Sequence, residues 1–272
     1  GEPMEPFGAD GGARLLRFAA WAERFPWLSA GVSTRHGGVS RPPWHSLNCG
    51  LHVGDRPEDV AENRRRVAEA AGLDFEGWTC AEQVHGSGVC VVEAAARGAG
   101  RLSAGGAIPA KDALVTKEPG LMLCAFFADC VPILFVDPAR RAVGVAHAGW
   151  RGTAANVAAE TVKAMARAFG TRPEDLYAAI GPSIRGCCYE VDESVAARFL
   201  PRLAPFAAPS APGKYMLDLA KINRQLLTEA GILPNRIELT NYCTNCRTDL
   251  FFSHRGEKGR TGRMAAWIAL RE

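Results

Sequence analysis

No apolar run in this sequence approaches the roughly 20 residues that a membrane-spanning helix needs. The early stretch "RLLRFAAWAERFPWLSAG" is interrupted by Arg17, Glu23 and Arg24, so it reads as neither a signal peptide nor a membrane anchor. Dense basic blocks are missing as well, and a net charge of +3 is too mild for a nucleic-acid-binding surface. The arginines of "NRRRVAEAAG" fall on an expected helix and read as a solvated face. Nine cysteines in 272 residues are odd in number and too sparse for a disulfide scaffold, which points to a reducing, cytoplasmic setting. The patterns H-x-E, H-E-x-x-H, Walker A, G-x-S-x-G and G-x-G-x-x-G are all absent, which removes several common enzyme classes.

What is present is an ordinary globular composition, 47% hydrophobic, enough for a sizeable core. The pattern predicts helices over 57–71, 153–169, 192–200 and 218–230. Pro57 suits a first helical turn, Asp218 a cap, and Gly72 and Gly231 the two exits. Short apolar runs bounded by turn residues predict strands over 28–34, 78–84, 121–127, 131–136, 142–147, 176–181 and 236–241. Segments 97–111 and 202–215, rich in Gly, Pro, Ala or Ser, read as loops. Strands and helices mix without strict βαβ alternation, so the expected fold is an α/β, mixed-sheet sandwich in a single domain. Residues 28–272 would form it, residues 1–27 being an N-terminal segment whose first three residues, ahead of Met4, read as an extraneous remnant.

The most informative stretch is "DCVPILFVDPARRAVGVAHAGWRGT". Two apolar runs flank "DPARR", which has type I turn chemistry. A turn centred between Pro138 and Ala139 places Cys130 opposite His147, where Cβ atoms lie roughly 4.5–5.5 Å apart. A thiolate and an imidazole so placed could share a metal ion or form a nucleophile–base pair. His36 ("TRHGG"), His52 ("LHVGD") and His85 ("EQVHG") also sit among glycines, which let side chains approach a ligand closely. Cys243 and Cys246 ("CTNC") make a C-x-x-C without a second pair, and so read as buried thiols. Cys187 and Cys188, taken as neighbours on a strand, would point opposite ways.

"EQVHG", "DALVT", "ADCVPILFVDP", "GVAHAGWRGT", "GPSIRGCCYEV" and the early "STRHGGVS…LNCGLHVGD" resemble the laccase-domain family of YfiH/YlmD-type proteins, long labelled multicopper polyphenol oxidases, with several long blocks in the right order. The resemblance runs from about residue 28 to the C-terminus. Cys49 departs from it, standing where the family pattern has an aliphatic residue. It implies a fold loosely like the catalytic domain of cytotoxic necrotizing factor. It also implies a zinc-dependent enzyme that phosphorolyses adenosine, inosine and S-methyl-5′-thioadenosine, releasing free base and ribose 1-phosphate, and that deaminates adenosine. Carried over motif by motif, His85, Cys130 and His147 would be the catalytic metal ligands.

Two imidazoles and one thiolate leave a fourth zinc position open, as in catalytic rather than structural sites. Phosphorolysis also needs an anion site. Arg151, beside an expected helix start, is the first candidate for it, with Arg35 and His36 as the second. The expected partners are therefore small molecules, purine nucleosides and phosphate, with no nucleic acid and no membrane. Copper in the same pocket, giving polyphenol oxidase activity, is an alternative, because Cu²⁺ outranks Zn²⁺ in intrinsic affinity. A trinuclear copper cluster would need more imidazoles than six scattered histidines supply. Two further alternatives are a metal-free cysteine hydrolase, with Cys130 attacking and His147 or His85 as base, and a non-catalytic binding protein.

Overall fold

The strands Met122–Phe127 and Val131–Asp137 are buried at every position, which requires that both faces of their sheets be covered. The computed structural model, which describes residues 4–8 and 12–272, shows how. The first seven strands are β1 (Met4–Phe7), β2 (Leu15–Phe18), β3 (Leu28–Ser33), β4 (Trp78–Cys80), β5 (Val89–Val91), β6 (Ala113–Thr116) and β7 (Met122–Phe127). They are followed by β8 (Val131–Asp137), β9 (Ala142–Ala148), β10 (Tyr177–Ile180) and β11 (Glu190–Asp192). The last are β12 (Ala207–Ala211), β13 (Lys214–Leu217), β14 (Ile237–Leu239) and β15 (Met264–Leu270). The helices are α1 (Ala19–Arg24), α2 (Pro57–Ala70), α3 (Trp150–Ala154), α4 (Val157–Phe169), α5 (Glu193–Ala196) and α6 (Leu219–Glu229).

One sheet has the order β1-β2-β3-β15-β7-β4 and the other β14-β10-β8-β9-β6-β5. Both are mixed: β4–β7, β5–β6 and β10–β14 pair in parallel and the remaining neighbours antiparallel. Side chains alternate between faces along each strand. Leu123, Ala125 and Phe127 of β7 meet Leu134, Val136, Val143 and Val145 between the sheets. Met122, Cys124 and Phe126 face the other way, onto Val67 and Ala68 of α2. On the far side of the second sheet Ile133, Phe135 and Ala146 pack against Val162 and Met165 of α4 and Ile222 and Leu226 of α6. The result is a four-layer α/β sandwich in one domain.

The expected helices at 57–71 and 218–230 form with nearly those bounds, and Asp218 caps the latter by accepting from the Lys221 N–H at 3.1 Å. The helix expected over 153–169 is two helices. Asn156, at φ 62°, breaks the chain between α3 and α4 and caps α4 by accepting from the Ala159 N–H. At 192–200 only Glu193–Ala196 is α-helical. The strand expected over 78–84 stops at Cys80. Beyond it the Gln83 amide replaces the backbone ladder, donating to Phe126 O at 2.9 Å and accepting from Phe126 N at 2.7 Å. The loop expected over 202–215 holds β12 and the first half of β13, a hairpin completing a small sheet with β11.

One arginine of "NRRRVAEAAG" is not on a solvated face. Arg64 is 2% exposed, donates to the carbonyls of Cys49, Gly100 and Arg101, and lies over Trp78 and Phe126. Arg65 and Arg66 do face outward, onto Glu62. Cys49 is buried in the layer under α2, filling the place expected of an aliphatic side chain. The remnant expected at residues 1–3 lies outside the described residues. β1 and β2, ahead of residue 28, extend the first sheet through β3. No helix among the described residues is long and apolar enough to cross a membrane.

Candidate metal centre

The β8–β9 hairpin turns one residue later than its turn chemistry predicts. Asp137 accepts from the N–H groups of Ala139 and Arg140 through Oδ1, and Arg141 at φ 53° completes a four-residue loop. The ladder therefore pairs Pro132 with His147 and Val131 with Ala148. Cys130, just before β8, is not opposite His147 as the sequence suggested. The difference is two residues, which preserves the face, so thiol and imidazole still converge. His85 reaches them from the loop after β4. The ligand atoms of His85, Cys130 and His147 all lie within 4.8 Å of one another. The two imidazole rings meet edge to face with centroids 5.1 Å apart.

Asp112 holds this constellation together. It lies just ahead of β6 and is 3% exposed. Its Oδ2 accepts from His147 Nδ1 at 2.9 Å and from the His85 N–H at 3.0 Å. Oδ1 accepts from the N–H groups of Val84 at 3.0 Å and Gly86 at 2.9 Å. His85 sits at φ 60°, a left-handed conformation few residues adopt, and these three backbone bonds keep it there. Burial pushes the Asp112 carboxyl up, but His147 and the N–H groups outweigh it and hold it below the usual carboxylate value.

Burial also opposes charge on Cys130 and His147, yet each favours the charged form of the other. Against burial, His147 and His85 bring the Cys130 thiol down to about 6. Against burial, Cys130 and Asp112 raise His147 to about 9. The floor of the site is Gly149, where a Cβ would stand 3.1 Å from Cys130 Sγ and 3.3 Å from His85 Nδ1. One soft thiolate and two borderline imidazoles, an oriented ring and a floor kept clear by glycine fit a zinc or copper ion. In metal sites generally, a ligating histidine donates its other N–H to a carboxylate, as His147 does here.

Residues that sequence reasoning missed frame the centre. Asp129, at φ 110°, sets the bend before Cys130 and accepts from Thr244 Oγ1 and Ser253 Oγ at 2.7 Å and from Arg255 N at 2.6 Å. Tyr189 is pushed up to about 12 by burial and by Cys130 and Asp129, against the pull of Arg255 and Arg151. Arg263, half-buried, feels the charges of Cys130 and Asp129 and has no carboxylate partner among the described residues. "DALVT" and "TGRM" mark Asp112 and Arg263, but no spacing rule links either segment to His147.

The arginines expected to bind substrate separate. Arg35 is buried, pairs with Glu257 at 3.1 Å, donates to Thr248 O, Phe251 O and His45 O, and lies 4.6 Å over Phe252. Those partners engage Nε and Nη1 of its guanidinium and tie Arg35 to the segment 248–257. His36 is exposed and its Nε2 contacts Asp249 O. Arg151 is exposed on the first turn of α3, lies 4.4 Å over Trp150, and has no carboxylate partner among the described residues.

"CTNC" is also corrected. Cys243 is buried but Cys246 is exposed, and the missing partner pair is Cys187 and Cys188. These two lie in a turn, where the N–H groups of Cys188 and Tyr189 both donate to Arg185 O. Consecutive side chains in such a turn can face one point, as they cannot on a strand.

Fold and site together define a mixed α/β chain carrying a histidine–cysteine–histidine grouping able to hold a metal ion. Residues 29–271 match the family model described as multi-copper polyphenol oxidoreductase laccase, and the chain belongs to that family. It is 46% identical to purine nucleoside phosphorylase YlmD of Geobacillus stearothermophilus, over 92% of this chain and 93% of that one. It is 37% identical to purine nucleoside phosphorylase YfiH of Escherichia coli, over 89% and 94%. The crystal structure of YlmD from Geobacillus stearothermophilus superposes with a TM-score of 0.92, covering 98% of this chain and 99% of that one at 44% identity.

Proposed function

We propose that this chain is a zinc-dependent purine nucleoside phosphorylase that also deaminates adenosine, with His85, Cys130 and His147 holding the ion. The observation that carries the proposal is the convergence of those three donors within 4.8 Å in a chain 46% identical to a relative named for phosphorylase activity. Adenosine, inosine and S-methyl-5′-thioadenosine are the proposed substrates, with phosphate as co-substrate. Zinc, when bound, would supply Lewis acidity to activate water for attack on the purine ring in deamination, whereas in phosphorolysis phosphate attacks the ribose carbon that bears the base. The chain's own residues supply the rest. Asp112 fixes the Nδ1 side of His147 and so aims the other ring nitrogen at Cys130 and His85. Gly149 keeps the floor open. Arg151 and Arg263, both without carboxylate partners among the described residues, suit the phosphate, whereas Arg35 is engaged by Glu257.

One assay tests this: the zinc-loaded protein is incubated with adenosine or inosine, with and without phosphate, and the products identified. Hypoxanthine and ribose 1-phosphate from inosine, only with phosphate, is the expected result, together with inosine from adenosine without phosphate. Absence of both conversions overturns the proposal.

A second reading has its own observation. Asp112, His147 and Cys130 line up as orienting carboxylate, base and thiol, and Cys130 stands near 6 although burial opposes it, because of His147 and His85. That would serve a metal-free cysteine hydrolase. His85 as a third donor favours the metal, and elemental analysis of the purified protein separates the two. For the copper reading, no grouping able to hold a metal among the described residues has more than two histidines.

A further inference from the structure

We infer that Cys187, Cys188, Cys243 and Cys246 form a second metal site, a tetrathiolate suited to zinc, that ties two distant loops together. Their four Sγ atoms lie within 4.8 Å of one another. A tetrahedral zinc with Zn–S bonds of about 2.3 Å sets its sulfurs about 3.8 Å apart, so the cluster needs only slight contraction to close on an ion.

The backbone explains why four thiols from segments 58 residues apart meet. Ser183 and Cys243 form an isolated parallel bridge, with the Thr244 N–H donating to Ser183 O at 3.0 Å. From that junction one segment runs into the turn bearing Cys187 and Cys188. The other enters a helical turn in which the Arg247 N–H donates to Cys243 O at 3.0 Å, placing Cys243 and Cys246 on one face. The backbone N–H groups of Arg185, Asn245 and Cys246 are directed at Cys243 Sγ, that of Arg185 at 3.4 Å. Such donors stabilise the charge of a ligating sulfur.

A disulfide does not account for the arrangement. Cys246 Sγ lies 3.5 Å from both Cys187 Sγ and Cys188 Sγ, with no preferred partner. A disulfide bond is about 2.05 Å long and can satisfy only one of them. An ion satisfies all four sulfurs at once. A cleft of 870 Å³, lined by Arg185, Lys221 and Arg247 among others, opens beside the cluster. It gives an ion access; Arg185 and Arg247 on its wall are paired with Asp218 and Asp249, which leaves Lys221 as the added positive charge there. The ion would also brace the first centre from a distance. Ile184 N and Thr244 Oγ1, on the two fastened segments, bond Asp129 O at 2.9 Å and Asp129 Oδ1 at 2.7 Å, next to Cys130.

The test is elemental analysis and cobalt reconstitution of the full chain, purified under reducing conditions, in three forms. These are the unaltered protein, a His85→Ala/His147→Ala variant that removes the first centre, and a Cys187→Ser/Cys246→Ser variant that alters exposed positions. The expected result is about one zinc per chain in the histidine variant. Its cobalt form should show the intense sulfur-to-metal charge transfer and tetrahedral ligand-field bands of four thiolates. The cysteine variant should lose that signal and keep the ion at His85, Cys130 and His147. Should the histidine variant fail to fold, the unaltered protein decides, since its cobalt spectrum either contains a tetrathiolate component lost in the cysteine variant or does not. A missing tetrathiolate signal, its persistence in the cysteine variant, or iron or a disulfide in place of zinc overturns the inference. None of these outcomes depends on turnover of nucleosides.

Discussion

Asp112 accepts the Nδ1–H of His147 at 2.9 Å while the same carboxylate accepts the His85 backbone N–H at 3.0 Å. One side chain thus orients one imidazole directly and the loop that carries the other.

Asp112→Asn removes the charge and one acceptor at nearly constant shape. Zinc affinity should fall about 10–100-fold, the usual effect of losing a partner behind a ligating histidine. Chelator competition measures it. Unchanged affinity would mean that the pair is only a packing contact.

Gly149→Ala places a methyl 3.1 Å from Cys130 Sγ and 3.3 Å from His85 Nδ1. The expected outcome is weaker metal binding and at least tenfold lower turnover with the fold intact by circular dichroism. Gly105→Ala is the control, because a Cβ there meets nothing within 4 Å. Equal behaviour of the two variants would remove Gly149 from the site.

The metal-free protein should show a pH window. Cys130 lies low, near 6, against burial because of His147 and His85, so its contribution to stability is lost as pH falls through about 6. His147 lies high, near 9, against burial because of Cys130 and Asp112, so its contribution is lost as pH rises through about 9. Tm of the metal-free chain should therefore be highest between these limits. Peptide mapping after iodoacetamide treatment at pH 7 should find Cys130 alkylated, and zinc should protect it. A Cys130 that reacts only near its ordinary value of 9.0 would contradict this.

Arg151→Ala should slow inosine phosphorolysis by one to two orders of magnitude at subsaturating phosphate, as the loss of a charge-assisted bond worth about 1.5–3 kcal/mol implies. Deamination and zinc content should change little. Arg35→Met should do the opposite. It strips Glu257 of a buried partner, costing about 3 kcal/mol of stability, and leaves the phosphate KM of the folded protein alone. Equal losses in both reactions for Arg151→Ala, with a lowered Tm, would reassign it to packing against Trp150.

The layers of the fold were legible because their strands and helices carry simple periodicities: β7 to β9, α2 and α6 stand within a residue or two of their expected bounds. The three donors were legible through their motifs. Their register was not, because Arg141 enters a left-handed conformation that the type I signature of "DPARR" does not announce. Asp112 escaped because its role is to bond backbone groups 26–28 residues earlier, a relation with no local pattern. "CTNC" misled for the same reason. Its partners come through a single bridge between Ser183 and Cys243, which no hydrophobic repeat encodes.

The position of β15 bears on how the chain is made. Met264–Leu270 lies between β3 and β7, so the last strand of this sheet in chain order fills its middle. While the ribosome still holds that segment, β1–β3 and β7–β4 are two separate flaps with unpaired edges facing each other. The layer behind the metal centre closes only after translation has passed Leu270, and a nascent chain stalled earlier exposes a slot shaped for one more strand.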